Sequence, residues 1–270
     1  MIATDSRPGS TRPNEDWVGT TEAGSITVVL DGLTAPDGVG GCIHNTPWYV
    51  SRLGHHLLKT ASDQEKPLRE ALREAITKVS AEHAGTCDLN DPGTPSSTVA
   101  AVRVTHTHVE SLVLADSPVI VDLPHGVDVM SDQSVETVVH AEREAALAAP
   151  AGSQEKAARM ADLVRAQRLV RNTPGGYWIA GTNPDAADHA VERSWPRNDV
   201  RRFAAMTDGT SCLVETYQAM SWEELLDTAR KDITDVITHV RHLEETDPEG
   251  LRWPRYKKSD DATIAYIELT

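Results

Sequence analysis

Ile26-Thr27-Val28-Val29-Leu30-Asp31-Gly32 is the stretch from which the fold can be read. Five apolar or β-branched residues in succession predict a strand covered on both faces. The carboxylate that ends it is poorly placed to be core, which makes Asp31 a candidate ligand. The same pattern recurs where Arg202-Phe203-Ala204-Ala205-Met206-Thr207 leads into Asp208-Gly209. A looser version runs from Ser111-Leu112-Val113-Leu114-Ala115 into Asp116-Ser117. Three predicted strands thus deliver three aspartates.

The frame around these strands is that of a large soluble domain. At 270 residues a chain can bury roughly three quarters of its unfolded surface. Lysine and arginine number 26 against 41 aspartates and glutamates, a formal charge of −15. Such a surface repels nucleic acid and anionic lipid and suits cations or a basic partner. The three cysteines, Cys42, Cys87 and Cys212, are far apart in sequence with no C-x-x-C pair, which points to a reducing compartment. No leader-like start and no long apolar run is present, so the expected location is the cytoplasm, with no membrane partner.

Either side of the first strand, residues 1–13 read as polar and turn-rich, and Asn14-Glu15-Asp16-Trp17-Val18 follows. The loop Leu33–Gly41 should bring flexible backbone beside Asp31. Residues 46–60 and 67–84 predict two packing helices, the second with Leu68, Leu72, Ile76 and Val79 on one face. Strands are expected over 96–104, 111–115, 119–121 and 127–129, the last two continuing an antiparallel meander. Residues 133–172 read as helix, break at Pro150-Ala151-Gly152-Ser153, and helix, either packed on the core or serving as a flap. A short strand at Gly175–Gly181, a helix from Asn183-Pro184 to about Val191, one long helix over 221–245 opened by a Ser221/Glu224 capping box, and a final strand after Asp260-Asp261 complete the reading. With no internal repeat, the expected organisation is one domain over 1–270 with a helical insertion at about 133–172.

If the strands lie side by side, Asp31, Asp208 and Asp260 converge at one end of a sheet, with Glu15, Asp16 and Asp116 nearby. Two carboxylates about 4 Å apart repel by about 4 kcal/mol at an effective dielectric of ~20, so several stay ionised together only with cations between them. Oxygen donors suit Mg²⁺ or Mn²⁺. Zinc is disfavoured because no His/Cys group has zinc spacing; Cys42-Ile43-His44 and His106-Thr107-His108 read as ordinary loop and strand residues.

The motifs Asn14-Glu15-Asp16, Val29-Leu30-Asp31-Gly32, Ser96-Ser97-Thr98-Val99, Leu114-Ala115-Asp116-Ser117, Met206-Thr207-Asp208-Gly209 and Asp260-Asp261-Ala262-Thr263 fall in one order over residues 14–263. In that order and near that spacing the chain resembles the metal-dependent serine/threonine protein phosphatases of the PP2C type, bacterial members especially. The resemblance implies an α+β fold, a four-layer α-β-β-α sandwich with two antiparallel sheets. It implies hydrolysis of phosphoserine or phosphothreonine in a phosphorylated protein by a water bridging two divalent cations. Asp31 would bridge the metals, the Gly32 carbonyl would ligate one, and Asp208 and Asp260 would complete the other. Glu15 and Asp16 would act on the first directly or through water, and Asp116 with Asp208 would hold a weaker third ion. Arg12 would grip the phosphate, with Arg7 as competitor. Leu33 stands where animal members carry a histidine, which implies proton donation to the leaving group by metal-bound water. Ala115 and Pro118 replace a glycine and an arginine of the family. Those departures motivate an alternative, a catalytically weak or inactive regulatory and binding module on the same fold.

Overall fold

The computed structural model describes residues 1–33 and 41–269. The chain opens with strands β1 (Ile2–Arg7), β2 (Trp17–Thr20), β3 (Ile26–Leu30) and β4 (Gly32–Leu33). Helices α1 (Thr46–Ala61) and α2 (Leu68–His83) follow, then β5 (Ser96–Ser97), β6 (Val99–Val104), β7 (His108–Leu114), β8 (Val119–Leu123) and β9 (Gly126–Met130). After helices α3 (His140–Ala148) and α4 (Gln154–Val170) come β10 (Val191–Pro196), β11 (Arg202–Met206), helices α5 (Asp208–Glu215), α6 (Trp222–Lys231) and α7 (Ile233–Thr246), and β12 (Ala262–Glu268). No helix among the described residues is long and apolar enough to cross a membrane.

Two five-stranded antiparallel sheets result, ordered β1-β12-β11-β8-β9 and β10-β7-β6-β3-β2. Side chains alternate across a strand, and β3 shows where they go. Ile26, Val28 and Leu30 pack against α1 and α2, whereas Val29 joins Ala100, Val121, Phe203 and Ala265 between the sheets. On the other sheet Ile120, Ala204, Met206 and Ile264 face α5, α6 and α7. Each of the buried Val, Leu, Ile, Phe and Met side chains among these contributes about 1.5–3 kcal/mol, and each alanine methyl less. Both sheets are therefore covered twice, giving the expected α-β-β-α sandwich.

Several local expectations are corrected. Residues 2–7 form an edge strand, because Ile2–Arg7 pairs register by register with Ala262–Ile267; its mixed polar sequence suits a strand with one open side. Trp17–Thr20 is a strand through pairing with Thr27–Leu30, and Val191–Pro196 through pairing with β7. The meander breaks at Asp116–Pro118, since β7 and β8 belong to different sheets. Gly175–Gly181 makes only isolated bridges. The helix expected from 183 is a 3₁₀ turn, Pro184–His189. The long helix over 221–245 is two helices: Asp232 is extended, and its side chain accepts from the Thr234 amide to cap α7. Of the loop expected to carry flexible backbone, 34–40 lie outside the described residues.

Candidate active site

Five aspartates from distant parts of the chain meet at one end of the sandwich. Asp31 links β3 to β4, Asp116 lies at the crossover from β7 to β8, Asp208 opens α5, Asp260 precedes β12 and Asp16 precedes β2. The gathering is not at one end of one sheet, as expected, but across the mouth between the two sheets. Asp31 comes from one sheet, Asp208 and Asp260 flank strands of the other, and Asp116 sits on the connection.

Each carboxylate perturbs the next. Burial, then the charges of Asp208, Asp16 and Asp260, holds Asp31 well above the ordinary carboxylate range. Burial and Asp260 raise Asp208. Burial raises Asp16 against the hydrogen bonds it receives from Thr263 and Thr207. Burial, with Asp208 and Glu215, pushes Asp116 up to about 7. Asp208 nevertheless keeps solvent contact, so it walls an open cleft. That cleft, about 340 Å³, is lined by Asp116, Asp208, Glu215, Tyr256, Lys257 and Asp260. A second hollow of about 180 Å³ shares Asp116, Asp208, Lys257 and Asp260 and adds Asp31, Gly32 and Leu33.

The backbone that presents these groups is locked by hydroxyls and by close approaches. Thr98 Oγ1 accepts from the Asp31 amide at 3.1 Å, the Thr98 amide donates to the Asp31 carbonyl at 2.9 Å, and Thr98 Oγ1 bonds Ser117 Oγ at 2.6 Å. Thr207 Oγ1 donates to Asp16 at 2.9 Å and accepts from the Thr263 amide at 3.1 Å. Asp261 accepts from the amides of Gly9 and Glu15 at 2.8 and 2.7 Å, tying the N-terminal acidic pair to the start of β12. A Cβ on Gly32 would lie 2.4 Å from the Glu15 carbonyl oxygen, and one on Gly209 would lie 1.9 Å from that of Asp261. Only glycine fits at either place.

The remaining expected residues are also placed. Arg12 and Glu15 line a neighbouring hollow with Lys257, Asp260 and Asp261. Arg7 is engaged elsewhere, pairing with Asp5 at 2.9 Å and donating to Thr238 Oγ1 and the Thr234 carbonyl on α7. Ala115 has φ +68°, the left-handed conformation that glycine adopts without strain.

Lys257, Arg143 and Tyr256 escaped the sequence reading. Lys257 Nζ lies 2.6 Å from Asp260 Oδ1; burial opposes its charge, but Asp260, Asp31 and Asp208 outweigh that and raise its pKa. Arg143, on α3, lies 5.5 Å over the Tyr256 ring. The only trace of Lys257 in the sequence is its place three residues before Asp260, a spacing shared by many surface lysines. The donor set fits divalent cations: it is all oxygen, and burial together with the neighbouring carboxylate charges raises Asp31, Asp208, Asp16 and Asp116, a balance that bound cations would relieve.

A sequence model of the family "Protein phosphatase 2C" matches residues 5–245. The chain belongs to that family. No curated protein matches it. Among solved structures, the serine/threonine phosphatase Stp1 from Staphylococcus aureus is 14% identical with a TM-score of 0.58, covering 100% of this chain and 94% of that one. The Mycobacterium tuberculosis phosphatase PstP/Ppp is 15% identical with a TM-score of 0.58, covering 100% and 98%. Its catalytic domain in complex with two manganese ions is 15% identical with a TM-score of 0.55, covering 99% and 97%. At these identities the likeness is one of fold, and it agrees with the two antiparallel sheets of this PP2C-family chain.

Proposed function

We propose that this protein is a metal-dependent phosphoprotein phosphatase acting on phosphoserine and phosphothreonine. The observation that carries the reading is the gathering of Asp31, Asp116, Asp208 and Asp260 along two adjoining hollows that Lys257 also lines, with the charge of Asp16 acting on Asp31. Asp31, the Gly32 carbonyl, Asp208 and Asp260 would hold two divalent cations, Mg²⁺ or Mn²⁺, with Glu15 and Asp16 acting on the first and Asp116 with Asp208 holding a weaker third. When bound, such cations supply Lewis acidity and a source of hydroxide near neutral pH for attack on phosphorus.

The chain's own residues bind and orient. Thr98 and Thr207 fix the backbones of Asp31 and the side chain of Asp16, so the carboxylates are positioned before any ligand arrives. Arg12, at the rim beside Asp260 and Asp261, is assigned to the phosphate, since a guanidinium matches two of its oxygens. Leu33 offers no proton to the leaving oxygen, so no side chain at that position serves as general acid. Helices α3 and α4 supply Arg143, Met160, Leu163 and Val164 to the roof of the inner hollow, and the pair is assigned as a flap over the site. The charge of −15 favours phosphosites in basic sequence.

The test is turnover with manganese on a phosphothreonine peptide and on an aryl phosphate. Asp31→Asn and Asp208→Asn should each lower both rates by at least about 10²-fold, since even groups that only orient metal ligands cost 10–100-fold. Unchanged rates overturn the assignment.

Lys257 supports a second reading. An ammonium already inside the carboxylate group could stand in for a cation, leaving a binding module. In that case wild type shows no manganese-stimulated turnover. On the first reading, Lys257→Ala lowers the manganese concentration for half-maximal activity about three- to tenfold, a modest effect because Lys257 is partly exposed and screened.

A further inference from the structure

Far from the carboxylate cleft in donor chemistry, two short sequence pairs come together that spacing alone kept apart. Cys42 and His44 lie just before α1, while His83 ends α2 and Cys87 follows it. One ligand atom from each of the four lies within 4.8 Å of every other. Cys42 Sγ is 3.7 Å from His44 Nδ1 and 3.5 Å from His83 Nδ1, and Cys87 Sγ is 3.3 Å from His44 Nδ1. A tetrahedral zinc with Zn–S of about 2.3 Å and Zn–N of about 2.05 Å requires S···N edges of about 3.6 Å. The observed edges scatter around that value.

The surroundings hold the four groups in place. The Asp88 amide donates to the Gly41 carbonyl at 2.8 Å, and the Cys87 amide to the His83 carbonyl at 3.0 Å, so backbone bonds bring the two pairs together. The His44 amide donates to Cys42 Sγ at 3.4 Å. Trp48 stacks on the His44 ring at 3.9 Å between centroids. His83 is fully buried, and its Nε2 has no hydrogen-bond partner among the described residues. The ring's polar contact is therefore the cluster itself, an unusual arrangement for a buried imidazole.

We infer that Cys42, His44, His83 and Cys87 form a structural zinc site, separate from the catalytic centre. Two thiolates and two neutral imidazoles around Zn²⁺ make a centre of zero net charge, which suits its half-buried setting. Four protein ligands leave no open position, so the site is structural and not catalytic. Its effect is to clip the chain emerging from β4, ten residues after Gly32, to the end of α2. The sequence alone disfavours zinc because Cys42-Ile43-His44, like His106-Thr107-His108, lacks zinc spacing, and nothing in it singles out His83 and Cys87. Only the α1–α2 hairpin unites them.

The site is tested by metal content and cobalt spectroscopy on the full chain. Wild type purified without added metal and washed with chelator should retain about one zinc per chain. The Asp31→Asn/Asp208→Asn variant should retain the same amount, and Cys42→Ser/Cys87→Ser should lose it. Cobalt-loaded wild type should show thiolate-to-cobalt charge transfer and the intense visible bands of a tetrahedral site, which decides the matter even if the serine variant fails to fold. Equal zinc in wild type and the serine variant, absence of the thiolate band, or a Cys42–Cys87 disulfide in the purified protein would each overturn it.

Discussion

At Ala115 the chain accepts a backbone conformation that its residue type disfavours. A φ of +68° costs a non-glycine residue about 1–2 kcal/mol, yet the turn is needed to carry the chain from β7 in one sheet to β8 in the other and to aim Asp116 at the cleft. Glycine would relieve that strain while raising the entropy of the unfolded chain and losing the contacts of a buried methyl with Tyr177 and Ile179. Ala115→Gly should therefore leave stability unchanged or raise it by up to about 1 kcal/mol. Ala115→Val should lower it by at least about 2 kcal/mol, because a β-branched side chain tolerates positive φ far less. Urea denaturation of both variants measures the contrast, and equal behaviour would show that the turn relaxes. Asp31 and Asp208 pose the opposite balance: keeping them ionised carries an energetic cost, since each has its pKa raised by burial and by the other carboxylates.

Among the elements, the α3–α4 pair is held by an uncommon group, a buried lysine. Lys156 Nζ donates to the carbonyl of Ala146 and, at 2.9 Å, to that of Arg255, stapling the pair to the segment that carries Tyr256 and Lys257. The Ala151 amide adds a bond to the Glu249 carbonyl at 2.7 Å. Lys156→Met should leave those carbonyls without their donor at a local cost of about 1–3 kcal/mol. Faster hydrogen exchange and proteolysis confined to residues 140–170, with little change in global unfolding, is the expected result. A uniform loss of protection would mean instead that this pair is part of the cooperative core and not a separately opening flap.

Over the whole molecule, the carboxylate cluster sets a pH dependence whose sign depends on cations. Asp31, Asp208 and Asp116 have folded pKa values above their unfolded value of 3.8, with Asp116 at about 7. For Asp116 the native state then binds more protons than the unfolded one between pH ~4 and ~7, so its contribution to stability is present below pH ~4 and is lost as pH rises through about 7, and Asp31 and Asp208 act in the same direction. Divalent cations held by the ionised carboxylates, as proposed above, would reverse the trend. Melting temperatures taken with chelator and with manganese should separate more at pH 7.5 than at pH 5, by at least about 5 °C. A manganese shift independent of pH would mean that the ion does not sit among these groups.

What could be read from residues in order was whatever local chemistry decides. The run Ile26–Leu30 ending at Asp31, its echoes before Asp116 and Asp208, and the amphipathic α1 and α2 carry their signals in adjacent side chains, and with the ordered acidic motifs they led to the two-sheet sandwich and the family. The strands β1, β2 and β10 carry no such signal, because they are strands only through hydrogen bonds to partners at a distance. Tertiary structure alone decided that the aspartates gather between the sheets, that Lys257 lies among them, and that Cys42 and His44 meet His83 and Cys87. The physical reason is common to all three: a side chain's position in a strand or helix is fixed by neighbours in sequence, but which other side chain it faces is fixed by how the layers pack.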